Sequence, residues 1–190
     1  GTSEEALISR ITLRSMKRAE YTPECKGHFG LSAKYYCHFT SPIRRYPDLQ
    51  IHRIIKENIH GKLNEKYIRH YNTILPDITK NCSINERRAD DAERDTEKLK
   101  KVEYMRSYIG EEFEGVISSV TGWGMYVELP NTIEGMVHVS NMEDDHYIYD
   151  EPTYSLVGEH TKKTYKLGQS VKVRVVHTDK MTKTIDFVLA

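Results

Sequence analysis

Apolar residues recur at helical spacing along the first part of this chain and alternate in short β-type runs along the last. Residues 4 to 19 are rich in helix formers, with Leu7, Ile8, Ile11 and Met16 on a partial apolar face. Tyr21-Thr22-Pro23 ends that helix, because proline disfavours a helical residue before it, and the Gly-, His- and Cys-rich stretch to Thr40 reads as loop with one short strand. Ser41-Pro42 offers a cap and a first-turn proline for a second helix, whose Ile51, Ile55 and Ile59 form an i,i+4 stripe. Pro47 must either kink this helix or delay its start until after Tyr46. A shorter helix is expected over 64–75. Ser83-Ile84-Asn85-Glu86 has capping-box spacing, and Ala89, Ala92, Thr96, Leu99, Val102, Met105 and Ile109 follow at helical intervals to Gly110. A separate helix of about seven turns is predicted there.

After Gly110 the period drops to two. The runs 114–120, 124–129, 135–139, 171–176 and 184–189 are β-type segments separated by Gly- and Asn-containing turns. Five short strands with a long insertion between the third and fourth fit a five-stranded Greek-key barrel, the OB-fold. The expected class is α+β, with a mainly helical portion over 1–109 and the barrel over 110–190.

Charge supports this division. The 190 residues carry 28 Lys/Arg and 28 Asp/Glu, yet residues 1–109 hold 21 against 15 and residues 110–190 hold 7 against 13. The length allows one or two domains. No apolar run approaches the roughly 20 residues of a membrane span. Gly1-Thr2-Ser3-Glu4-Glu5 lacks the basic and apolar parts of a signal peptide, so a cytoplasmic location is expected. Cys25, Cys37 and Cys82 are an odd set without a framework and are expected as free thiols.

Chemistry concentrates in His38-Phe39-Thr40-Ser41-Pro42-Ile43-Arg44-Arg45-Tyr46-Pro47-Asp48-Leu49. Paired arginines beside a Ser-Pro turn suit a phosphate, since guanidinium is permanently charged and presents a planar fork of donors. Arg44, Asp48 and His52 at i,i+4,i+8 would share one helix face, with Asp48 orienting Arg44; a surface salt-bridge ladder is the plainer alternative. Thr40, Ser41, Arg45 and Tyr46 favour a ligand site. Cys25-x2-His28 with Cys37-His38 is poorly spaced for zinc, and buried thiols with hydrogen-bonded histidines are expected instead. In the barrel, Trp123, Tyr126 and His138 are flat side chains of the kind on which bases stack, although a barrel core also absorbs aromatics. Trp123 between Gly122 and Gly124 is hard to bury. Lys172, Arg174 and Lys183 suit either phosphate contacts or ordinary solvent-facing positions. Glu143-Asp144-Asp145 suits a divalent cation only in principle, and a solvated loop is expected.

The segments Gly27-His28-Phe29-Gly30-Leu31 and His38 to Leu49 with His52-Arg53 resemble the C-terminal part of the catalytic domain of the ribonuclease II family. Glu86-Arg87-Arg88-Ala89-Asp90 and Ala92-Glu93-Arg94-Asp95 resemble its long closing helix. Residues 112–190, including Gly115 to Gly122, Gly135 to Ser140 and Ile185-Asp186-Phe187, resemble the S1-type RNA-binding domain that follows it. The resemblance implies removal of nucleotides one at a time from the 3′ end of RNA, releasing 5′-monophosphates, with Mg2+ held by aspartates upstream of the matched region. By the same resemblance Arg44 holds the scissile phosphate and Glu93 borders that site, while Trp123, Tyr126, His138, Asp179 and Lys183 form the RNA face of the barrel. The implied molecule is a fragment that binds single-stranded RNA, holds no metal itself and hydrolyses RNA negligibly. Its rivals are a stand-alone RNA-binding protein using only the barrel and a protein-interaction adaptor with an acidic barrel.

Overall fold

The computed structural model describes residues 8, 9, 12, 13 and 15–190. Of the helix expected over 4–19, Ile8, Ser9, Thr12, Leu13 and Ser15 are helical, while Leu7 and Ile11 of its apolar face lie outside the described residues. Contacts group Lys17–Glu93 into one compact unit and Arg94–Ala190 into another.

In the first unit, a loop with a single bridge between His28 and Ala33 leads into helix α1, Tyr46–Ile59. The helix does not start at Ser41. Pro42, Ile43 and Arg44 form a turn, Arg45 is the extended N-cap, and the delayed start that Pro47 allows is the one adopted. At its far end Gly61 takes φ +65, donating its N–H to Asn58 O while Lys62 N–H reaches Glu57 O. That pair of bonds is a Schellman stop, which favours glycine because other residues resist this backbone conformation.

Helix α2, Glu65–Met105, is one uninterrupted element where two helices were expected. Asn64 caps it, its Oδ1 accepting from Lys66 and Tyr67 N–H. Pro76 lies inside it without ending it. The Ser83 capping box is therefore not used: its Oγ donates to Thr79 O and accepts from Tyr21 N–H. Tyr71 ties the two helices together by donating 2.6 Å to Glu57 Oε2; that bond and its burial push the phenol up to about 12.

The second unit is a closed barrel of β1 Glu112–Thr121, β2 Gly124–Glu128, β3 Glu134–His138, β8 Thr184–Leu189 and β7 Ser170–Asp179, in that spatial order. Only β3 and β8 run parallel. These are the five strands that alternation predicts. The insertion is not plain loop: β4 Tyr147–Asp150, β5 Ser155–Gly158 and β6 Thr164–Lys166 form their own three-stranded sheet. The core combines Ile117, Met125, Val127, Val137, Val173, Val175 and Phe187 with Val102 and Met105 from the end of α2. Gly124, at φ +155, leaves no room for a Cβ, which would lie 2.2 Å from Val137 O.

The acidic loop has a structural role. Asp145 accepts from the N–H groups of His146, His160 and Thr161 and from Thr161 Oγ1, and these bonds hold its carboxyl well below the usual range. Asp144 accepts from Tyr147 Oη and pairs with Lys163 at 2.9 Å. Neither is a freely solvated acid.

Candidate nucleic-acid interface

The turn before α1 is organised from beneath by Asp48. Its Oδ2 accepts from Ser41 N–H at 2.8 Å and from Arg45 Nη2 at 2.8 Å. Burial raises the Asp48 pKa, but the Ser41 and Arg45 donors outweigh it and hold the carboxyl below its ordinary value. The expectation that Asp48 orients Arg44 is corrected here. Because α1 begins at Tyr46, Arg44 precedes the helix, and the i,i+4 geometry never forms. Arg45 is instead built into the turn, while Arg44 lies exposed in it.

His52 also departs from the supposed ladder. Its Nε2 bonds Phe39 O at 2.8 Å and its ring stacks on Phe39 with centroids 4.4 Å apart. Tyr46 is half exposed and accepts from Arg53 Nη1, whose guanidinium lies over the ring at 5.7 Å. Glu93 is exposed on α2. The histidines and cysteines of the loop find local partners: His38 Nδ1 meets Tyr21 Oη at 3.1 Å and Cys25 Sγ donates to Lys34 O. All three thiols are free, with Cys25 and Cys37 exposed rather than buried as expected.

On the barrel, three predicted residues share one edge. Trp123 is 65% exposed in the β1–β2 turn, and its carbonyl accepts from Val139 N–H at 2.9 Å, just past His138. His138 pairs with Gly124 across β2 and β3, and Tyr126 with Met136. Alternation turns Tyr126, Met136 and His138 outward while Met125, Val127 and Val137 fill the core. His138 Nδ1 accepts from Ser140 N–H at 3.1 Å, which leaves Nε2 as the ring nitrogen that Ser140 does not engage. A ring that can stack stands beside one with polar edges.

Asp179 and Lys183 occupy the β7–β8 turn. Register sets β8 parallel to β3 with Asp186 opposite Met136, so this turn flanks the Glu134 end of β3, away from Trp123. Asp179 accepts from Met181 N–H, and that bond with the Thr182 hydroxyl lowers its pKa. Lys183 is paired with Asp95 of α2 at 2.7 Å, a partner that spacing along the sequence gave no signal for. Met136 was missed too, although strand alternation beside Tyr126 was enough to place it outward.

The RNB domain model matches residues 2–61, and the S1 RNA binding domain model matches residues 108–189. Ribonuclease R 1 of Lactococcus lactis is 49% identical over 98% of this chain and 23% of its own length. Ribonuclease R of Thermotoga maritima is 46% identical over 96% of this chain and 26% of its own. Two structures of Mycoplasma genitalium RNase R, one apo and one in complex with ribose methylated single-stranded RNA, each match with TM-score 0.89 and 27% identity, covering 99% of this chain and 30% of theirs. The chain thus spans about a quarter of the length of these curated relatives.

Proposed function

Since an RNB segment and an S1 domain place this chain in the ribonuclease R family, we propose that it is the part of a 3′→5′ exoribonuclease that holds single-stranded RNA. The parent enzyme releases nucleoside 5′-monophosphates. The observation carrying this reading is the outward set Trp123, Tyr126 and His138 on a closed barrel, with the tryptophan exposed in a turn where it contributes little to the core. Stacked bases are sequence-tolerant, as an enzyme that consumes any RNA requires.

In the first unit Arg44 takes the scissile phosphate. Its exposure and the fixed turn beneath it support that role, since a permanently charged fork held in place offsets charge on phosphoryl oxygens. Glu93 borders the phosphate. Arg45 and Tyr46 contact RNA beside Arg44, Arg45 by shaping the turn, and in the barrel unit Asp179 and Lys183 belong to its own RNA face.

Magnesium supplies the nucleophile and charge neutralisation in such hydrolysis. The described residues do not fit a magnesium centre: no group of three or more His, Cys, Asp or Glu side chains among them could hold a metal ion, and the Asp145 oxygens are taken by loop donors. No step of the reaction is assigned to them. In this reading the chain by itself binds RNA and hydrolyses it negligibly. Incubation with end-labelled single-stranded RNA and magnesium is expected to leave the RNA at full length while its anisotropy rises. Release of mononucleotides by this chain alone would overturn the proposal. A cytoplasmic location belongs to the same reading. Among the described residues no helix is long and apolar enough to cross a membrane.

A further inference from the structure

Four successive strand pairings set five residues in one row across the outer face of the barrel. Ser119 lies opposite Tyr126, Tyr126 opposite Met136, Met136 opposite Asp186, and Asp186 opposite His177. All but the ends continue simple alternation. The two ends are made by bulges: register shifts between Ile117 and Ser119 in β1 and between Val175 and His177 in β7. Without the second bulge, the alternation Val171, Val173, Val175 inward would send His177 into the core. The extra residue, Val176, reverses the phase, so His177 stands exposed with its Nδ1 3.4 Å from Asp186 Oδ2. Bulges of this kind re-aim side chains at functional surfaces.

From this geometry we infer that His177 is an RNA-contacting residue. The track of the single strand crosses the barrel from Tyr126 over Met136 and past Asp186 to an imidazole on β7, and Asp186 positions that ring. The inference rests on the RNA-face reading of Trp123 and Tyr126 and extends it by two strands. The chemistry along the row suits a nucleotide chain: a phenol ring for a base, a polarizable thioether beside it, then a flat ring with polar edges. The Asp186 carboxylate stands in the row between Met136 and His177 and repels phosphate, so its role on the track is to hold the ring and not to bind the backbone.

The test measures binding of a fluorescein-labelled oligouridine to the full chain by anisotropy for His177→Ala, Asp186→Ala, the double variant and Trp123→Ala, with melting followed for each. His177→Ala is expected to weaken binding at least about fivefold, the lower end of what loss of one stacking platform costs. Asp186→Ala is expected to weaken it less, and not at all once His177 is already alanine, since a positioning residue has nothing left to position. A general loss of folding would instead make the two substitutions additive and lower the melting temperature. If Trp123→Ala weakens binding and His177→Ala does not, the track stops before β8 and this inference fails alone. If neither weakens it, the RNA-face reading fails with it.

Discussion

The largest fully buried side chains of Arg94–Ala190 are Phe187, Met105, Ile117 and Met125, whereas the fully buried side chain of Lys17–Glu93 among the described residues is the carboxylate of Asp48. The barrel is held by non-directional burial spread over many apolar groups. The turn carrying Arg44 is held by a few directed bonds to one acid. In the same unit Phe29 and Ile43 are almost fully exposed. The barrel is held mainly by apolar burial, and the first unit uses its buried polar groups to define one loop conformation. Directed bonds cost desolvation but specify geometry, which the phosphate contact proposed for Arg44 requires.

The largest expected effect tests the apolar side of this contrast. The Phe187 ring fills the space where Gly135 lacks a side chain, so Phe187→Ala leaves a cavity and is expected to cost about 3–5 kcal/mol. Urea unfolding followed by fluorescence of Trp123, the single tryptophan, reads the barrel directly.

Asp48→Ala tests the polar side. It strips Ser41 N–H and a mostly buried Arg45 of their acceptor and is expected to cost about 3 kcal/mol, read by helical circular dichroism with Trp123 emission unchanged. A joint loss of both signals would show that the two units do not respond independently. Acid gives a second measure. The folded pKa of Asp48 lies below its unfolded value, so its contribution is complete above about pH 4 and is lost as pH falls through the folded value. Asp48→Asn is expected to flatten the acid limb of the helical signal.

RNA affinity separates the units by function. Trp123→Ala is expected to weaken binding by about 1–3 kcal/mol, and Arg44→Ala by less, because many stacked nucleotides contribute to affinity while one phosphate is held for reaction. Equal losses from both would make the turn as much a binding surface as the barrel. The smallest effect concerns Lys183. Its ion pair with Asp95 competes with phosphate, so Asp95→Asn is expected to tighten RNA binding by roughly twofold and to steepen its salt dependence.

The five barrel strands and the exposure of Trp123 are legible along the chain, because alternation is a local property written into every second residue and a large ring between two glycines is hard to bury. The sequence by itself also determined the family, through long motifs around Arg44 and in the barrel. Tertiary structure alone decided the rest. Whether Pro76 ends a helix depends on the surrounding bonds, and α2 runs through it, leaving Ser83 to bond Tyr21 instead of capping. Whether Asp48 serves Arg44 or Arg45 depends on where α1 begins, a shift of a few residues that helical spacing does not resolve. The partners of Lys183 and the bulge that turns His177 outward join residues far apart in the chain or insert one residue into a register. Such contacts are fixed only when strands pair and a helix end closes over them, so no local period announces them.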